Sequence, residues 1–240
     1  MYIHMKKTIA VVVAVSTLLG TQVQSQIVID NFSDGSSFTL SDSSGTAKFN
    51  NISSAADIIG GSRQIRVRAA GSGYYGPSII GVDTASGTLA SYGGDTGDRF
   101  IEYGSAIGSI TQTGAGPGVP VNLNLDLLLT DSINIDVASA GAGDYVGVRL
   151  YDSSGGYYTA NINTTSAGSY SISLSSFPGL TALEASDIDG ILISPVSSAG
   201  SAVTGLVLDE LSISVPEPGT AALAAIGIAG LIAARRRTCK

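Results

Sequence analysis

Ile133-Asn134-Ile135-Asp136-Val137, the turn Gly141-Ala142-Gly143-Asp144, and the run from Tyr145 to Tyr151 together decide the architecture. Ile133, Ile135 and Val137 alternate with Asn134 and Asp136. Val146, Val148 and Leu150 alternate with Tyr145, Arg149 and Tyr151. A period of two with polar alternates belongs to a strand that has one face in a core and one in water. The turn supplies glycines, which tolerate positive φ. The same pattern recurs on both sides. Ile65, Val67 and Ala69 alternate with Gln64, Arg66 and Arg68, and Tyr170, Ile172 and Leu174 alternate with serines. Val121, Leu123, Leu125 and Leu127 alternate with Asn122, Asn124 and Asp126, which predicts a further strand. Ser33-Asp34-Gly35, Gly93-Gly94-Asp95 and Ser154-Gly155-Gly156 supply more turns. A short helix is expected at Leu180–Ala185 and a long surface loop from Gly104 to Pro120. The pattern predicts an all-β, antiparallel β-sandwich or a barrel, with no internal repeat and no second domain.

The composition narrows what such a body can do. The chain has 240 residues, of which 13% are charged and 44% hydrophobic, with no Trp. That excludes a disordered polyampholyte. Lys6, Lys7, Arg235, Arg236, Arg237 and Lys240 lie near the ends, so the stretch from Gln26 to Val215 sets six basic residues against 18 acidic ones. Its net charge is −12, against −7 for the whole chain. A body this acidic repels phosphate backbones and anionic lipid, so no nucleic-acid partner is expected. The only His is His4 and the only Cys is Cys239. The body therefore has no Ser-His-Asp triad, no Cys-His pair and no thiolate- or His-bound zinc. Paired carboxylates can still hydrolyse glycosides. Glu102, Glu184 and Glu210 are available, but none lies in a recognisable motif, so no enzyme is expected and a glycoside hydrolase is the most distant alternative.

The two ends read as addresses. Lys6-Lys7, the apolar run Ile9–Leu19 and the small residues of Val23-Gln24-Ser25 have the layout of a signal peptide, assigned to 1–25. At the other end, Val215-Pro216-Glu217-Pro218-Gly219-Thr220 precedes an apolar run, Ala221–Ala234, and then Arg235-Arg236-Arg237. The run can form a short transmembrane helix, and the arginines would act as a cytoplasmic stop. It suits either a temporary anchor in the inner membrane or an ordinary single-pass anchor. This order of proline-flanked Glu217, Ala/Gly-rich helix and arginine cluster resembles the PEP-CTERM sorting signal, assigned to 215–240. The resemblance implies a Gram-negative exported protein. An exosortase partner would process the tail, and the product would reach the cell surface or extracellular matrix in association with exopolysaccharide.

The intervening 26–214 resembles, more loosely, galactose-binding-like jelly rolls, the sandwich of many carbohydrate-binding modules. The likeness rests on Ile29-Asp30-Asn31-Phe32-Ser33-Asp34-Gly35 and on Leu208-Asp209-Glu210-Leu211. Counting back by two from Leu211 places Asp209 inward, and Asp30 shares its phase with Val28 and Phe32. Together with the jelly-roll likeness, in which first and last strands meet around calcium, this suggests one structural Ca²⁺ held by Asp30 and Asp209. The alternative is a β-bulge that turns Asp209 outward. Tyr145 and Tyr151 fall out of phase with the apolar face of their strand. They either form an exposed platform for stacking on sugars or cover the second face of the sandwich.

Overall fold

The computed structural model describes residues 24–53, 55–69, 78–93, 98–104, 123–197 and 205–216. Gln26–Ser214 forms one compact unit. The expected signal helix, the transmembrane helix, Glu217, Pro218 and Arg235–Arg237 lie outside the described residues. So does nearly all of the loop expected at Gly104–Pro120.

Thirteen strands are described: β1 Gln24–Asp30, β2 Phe38–Asp42, β3 Lys48–Ser53, β4 Ser62–Arg68, β5 Ser78–Asp83, β6 Thr88–Tyr92, β7 Asp98–Tyr103, β8 Ser132–Ser139, β9 Tyr145–Asp152, β10 Tyr157–Asn163, β11 Gly168–Ser173, β12 Ile188–Val196 and β13 Leu206–Pro216. One sheet runs β11-β8-β13-β6-β5-β2, with β1 also on β13; the other runs β10-β9-β12-β7-β4-β3. Every recorded register between strands is antiparallel. The inward residues are the ones the period of two selects. Ile133, Ile135, Leu208, Leu211 and Ile213 come from the first sheet and Ile65, Ile101, Val146, Val148, Leu150, Ile191 and Ile193 from the second; all are fully buried. The sheets are also tied by the Ser91 hydroxyl, which donates to the Pro195 carbonyl, and by Arg99, whose Nε donates to Ser78. The expected short helix is α1, Ala182–Ala185, started by a Thr181/Glu184 capping box.

Two expectations about strands are corrected. Residues 123–128 form no strand; Leu125 makes a single antiparallel bridge to Ile188. Asn124 sits at φ 48°, outside the extended region, and so interrupts the ladder. In β13, Leu208 faces Val137 while Glu210 faces Asp136, so Asp209 is an extra, bulged residue. The physical cause is plain. Leu206 and Leu208 are both buried, and so are Leu211 and Ile213. The step from 208 to 211 is odd, and only an inserted residue keeps both pairs on one face. Asp189 plays the same part in β12, between Ile188 and Gly190.

The tetrapeptide Asp-Ser-Ser-Gly closes β2 at Asp42 and β9 at Asp152. In each, the carboxylate folds back on its own turn. Asp42 accepts from the Ser44 and Gly45 N–H groups and, across the chain, from the Ala69 N–H at 2.7 Å. Asp152 accepts from the Ser154 and Gly156 N–H groups and from the Tyr158 hydroxyl. The glycines, Gly45 at φ 79° and Gly155 at φ 87°, supply the left-handed step. Burial alone would raise the Asp42 carboxyl, but the Ala69, Ser44 and Gly45 donors outweigh it and hold its pKa at about 2. A folded-state pKa below the unfolded one contributes stability that is present above about pH 4 and lost as pH falls through 2. Asp42→Asn should therefore flatten the acid limb of a stability-versus-pH curve between about pH 4 and 2, read by urea unfolding.

Candidate ligand-binding face

Asp30 leads to the interior, not to a ligand. Its carboxylate accepts from Arg63 Nη1 at 2.6 Å, from the Phe32 N–H at 2.7 Å and from the Tyr103 hydroxyl at 3.1 Å. Asp30, Arg63, Tyr103 and Phe32 are all buried. Burial pushes the Asp30 carboxyl up; the Arg63 charge and the three donors pull it back. Tyr103 is pushed far above the usual phenol range, by burial first and by the Asp30 charge next, and so stays a donor. Asp209 stands exposed on its bulge. The inward phase expected for Asp209 is thus overturned, and the expected calcium pair is not a fit. Both Asp30 oxygens are engaged by donors, and its cation is a guanidinium. Among the described residues, no group of three or more His, Cys, Asp or Glu side chains could hold a metal.

Asp209 instead lines an open cleft of about 500 Å³ with Asn31, Ser86, Asp136, Ser169 and Glu210.

The outward face of the second sheet is built differently. The registers Thr159↔Arg149, Arg149↔Leu192, Leu192↔Glu102, Glu102↔Gln64 and Gln64↔Asn51 set six residues in one row across all six strands. The middle of that row is buried: Leu192, Glu102 and Gln64 are each under 5% exposed. The accessible end is β9–β10, which form a hairpin closed by the Asp152 turn. There Tyr145, Arg149 and Tyr151 lie beside Asn163, Thr159 and Tyr157.

Tyr157 is 62% exposed, while Tyr151 is only 5% exposed. Their ring centroids are 6.3 Å apart at an interplanar angle of 50°. The Arg149 guanidinium lies 4.9 Å from the centre of the Tyr157 ring, a cation–π arrangement. It donates from Nε to Thr159 Oγ1 and from Nη1 to the Tyr151 hydroxyl, each at 3.3 Å. Burial raises the Tyr151 phenol, against the lowering effect of Arg149. Of the two roles expected for Tyr145 and Tyr151, the covering one is the one seen. Tyr151 and half-buried Tyr145 cover the sheet, and Tyr157 is the exposed ring.

No local pattern marks Arg149 and Tyr157 as partners, although Tyr151 and Tyr157 flank the hairpin turn and face each other as soon as that turn is assigned. Arg63 is a second residue whose role no local motif announces. That residue shares the inward phase of Ile65 and Val67, and an inward cation requires a carboxylate.

The described body is therefore a two-sheet antiparallel β protein with a patch of aromatic, amide, hydroxyl and guanidinium groups on one outer face. Its last strand runs directly into the first proline of the tail motif. The family model "PEP-CTERM protein-sorting motif" matches residues 214–237. The chain carries that signal, which marks an exported protein with a C-terminal, membrane-anchoring sorting segment. Among solved structures, the chain is similar to the family 11 carbohydrate-binding module of the cellulosomal cellulase Lic26A-Cel5E of Clostridium thermocellum. The identity is 12% and the TM-score 0.39, over 81% of this chain and 96% of that one. It is similar also to BiXyn10A CBM1 (13% identity, TM-score 0.33, 75% of this chain and 99% of that one). An exo-beta-agarase is matched at 18% identity and TM-score 0.36, over 72% of this chain but only 23% of that one. No curated protein matches the sequence.

Proposed function

We propose that this protein is cargo for an exosortase of a Gram-negative bacterium. It would be anchored transiently in the inner membrane through Ala221–Ala234 and released to the cell surface or extracellular matrix after processing at Pro216-Glu217-Pro218. There it would serve a structural or interaction role beside exopolysaccharide. The observation that carries this reading is the sorting motif at 214–237, placed where β13 ends. The tail's chemistry supports it. The apolar run is 14 residues long, short of the roughly 20 that a permanent helical span uses, and three arginines resist translocation behind it. Mass spectrometry of the protein recovered from outside the cell should show a C-terminus lacking Arg235, Arg236 and Arg237. Deleting the exosortase should restore the full tail and leave the protein in the membrane. An external form that still ends in Lys240 overturns the reading.

The second reading is that the body binds matrix polysaccharide rather than catalysing a reaction. The observation favouring it is Tyr157, a large ring left in solvent beside hydroxyl and amide groups on the outward face of β9–β10. A tyrosine ring can stack on a pyranose while its neighbours hydrogen-bond the hydroxyls. Retardation of the protein in polysaccharide-containing native gels is the test.

A further inference from the structure

The charge of the body is segregated between its two sheets. All six of its basic residues lie on the second sheet: Lys48 on β3, Arg63, Arg66 and Arg68 on β4, Arg99 on β7 and Arg149 on β9. That sheet carries four acidic residues. The strands of the first sheet carry six acidic residues and no Lys or Arg. The −12 of the body thus resides in the first sheet and the loops; Arg63 and Arg99 point inward between the sheets, and on the outward side Arg66 and Arg68 stand against Asp98 and Glu102, with Arg149 on a separate strand.

Within the second sheet, most cations have a carboxylate or a fixed structural task. Arg63 pairs with Asp30, and Arg66 and Arg68 share Asp98. Arg99 is buried and bound to Ser78 and the Gly93 carbonyl, and the Lys48 ammonium is held by the Ser41 carbonyl. Arg149 differs. It is half-buried and held by two neutral hydroxyls and an aromatic ring, with no carboxylate within ion-pair distance among the described residues. The nearest acid along its row, Glu102, lies two strands away in the covered part of the face, where its charge reaches the Tyr151 hydroxyl without pairing Arg149 among the described residues. A guanidinium has five N–H donors, and among the described residues Arg149 uses two. The rest form a fork suited to a bidentate carboxylate. Thr159 and Tyr151 fix the plane of that fork, so little side-chain freedom is lost on binding.

We infer that the β9–β10 face binds a carboxylate-bearing glycan, with Arg149 receiving the carboxylate and Tyr157 the face of the adjoining sugar ring. This rests on the polysaccharide-binding reading and narrows it to acidic polymers. Asn161 and Thr159, both exposed on the same face of β10, supply neutral partners for sugar hydroxyls.

The test is affinity electrophoresis of the full-length protein, at physiological ionic strength, in gels containing polygalacturonate, dextran sulfate or neutral dextran. Polygalacturonate should retard the protein, dextran sulfate less so, and dextran not at all. Arg149→Gln should weaken the polygalacturonate interaction about tenfold or more, Arg149→Lys should restore part of it, and Tyr157→Ala should weaken it with the melting temperature unchanged. Retardation by dextran that Arg149→Gln leaves intact overturns the acidic-glycan inference but keeps polysaccharide binding. Equal retardation by dextran sulfate and polygalacturonate overturns the carboxylate assignment in favour of general anion attraction. No retardation in any gel overturns both readings.

Discussion

Asp30→Ala should cost about 3–5 kcal/mol of folding stability, because it leaves the Arg63 guanidinium buried with no counter-charge. For a body of this size that is a fall of roughly 6–20 °C in melting temperature. The removal strands more than Arg63. The Tyr103 hydroxyl and the Phe32 N–H lose their acceptor in the same stroke. Among the described residues, Arg63 retains only the Asp34 carbonyl at 3.3 Å and the Phe32 ring at 5.7 Å. Arg63→Met should be costly for the reciprocal reason, leaving an unpaired buried carboxylate. The informative variant is the double one. Asp30→Leu with Arg63→Met removes both charges, and apolar replacements of buried pairs are often neutral. The double variant should therefore be much more stable than the sum of the single losses implies. Chemical denaturation of the four proteins measures this. A single-variant loss below about 1 kcal/mol, or strict additivity, would show that the pair is not the internal clamp its geometry indicates.

The same residues show what the sequence discloses and what it conceals. The strands at Ile133–Val137 and Val146–Leu150 were legible because an apolar alternation within one strand is a local signal. The Asp30–Arg63 clamp was not, because it joins positions 33 apart and depends on which strands become neighbours. Asp30 was legible as an inward charge, but its partner was read as a metal rather than as a guanidinium. The run at Val121–Leu127 shows the converse error. Its alternation is as regular as any in the chain, yet Leu125 makes only a bridge, since Asn124 adopts a left-handed conformation that alternation cannot report. The β9–β10 face lay between these cases. Its members were visible one by one, and their assembly required only the register of one hairpin.

Deleting Asp209 should be far more damaging than replacing it. The residue is exposed and its side chain is no part of the core, so Asp209→Ala or Asp209→Ser should lie within about 0.5 kcal/mol of the wild type. Its backbone is another matter. With the bulge present, Leu206 and Leu208 on one side and Leu211 and Ile213 on the other all point inward, and all four are fully buried. Removing one residue shifts the strand by one, and a shift of one sends every side chain on that side of the break to the opposite face. One leucine pair, or the leucine–isoleucine pair, would have to leave the core. At about 1.5–3 kcal/mol for each large aliphatic side chain, the loss is roughly 3–6 kcal/mol before any cavity is counted. That is a large fraction of the stability of a typical domain. The expected result is a deletion variant that is unfolded or strongly destabilised beside a point variant that melts normally. If both melt alike, the strand tolerates a slip and the bulge is not what sets its phase. If the point variant falls as far as the deletion, the carboxylate itself has a partner, and the cleft shared with Asp136 and Glu210 is where to look for it.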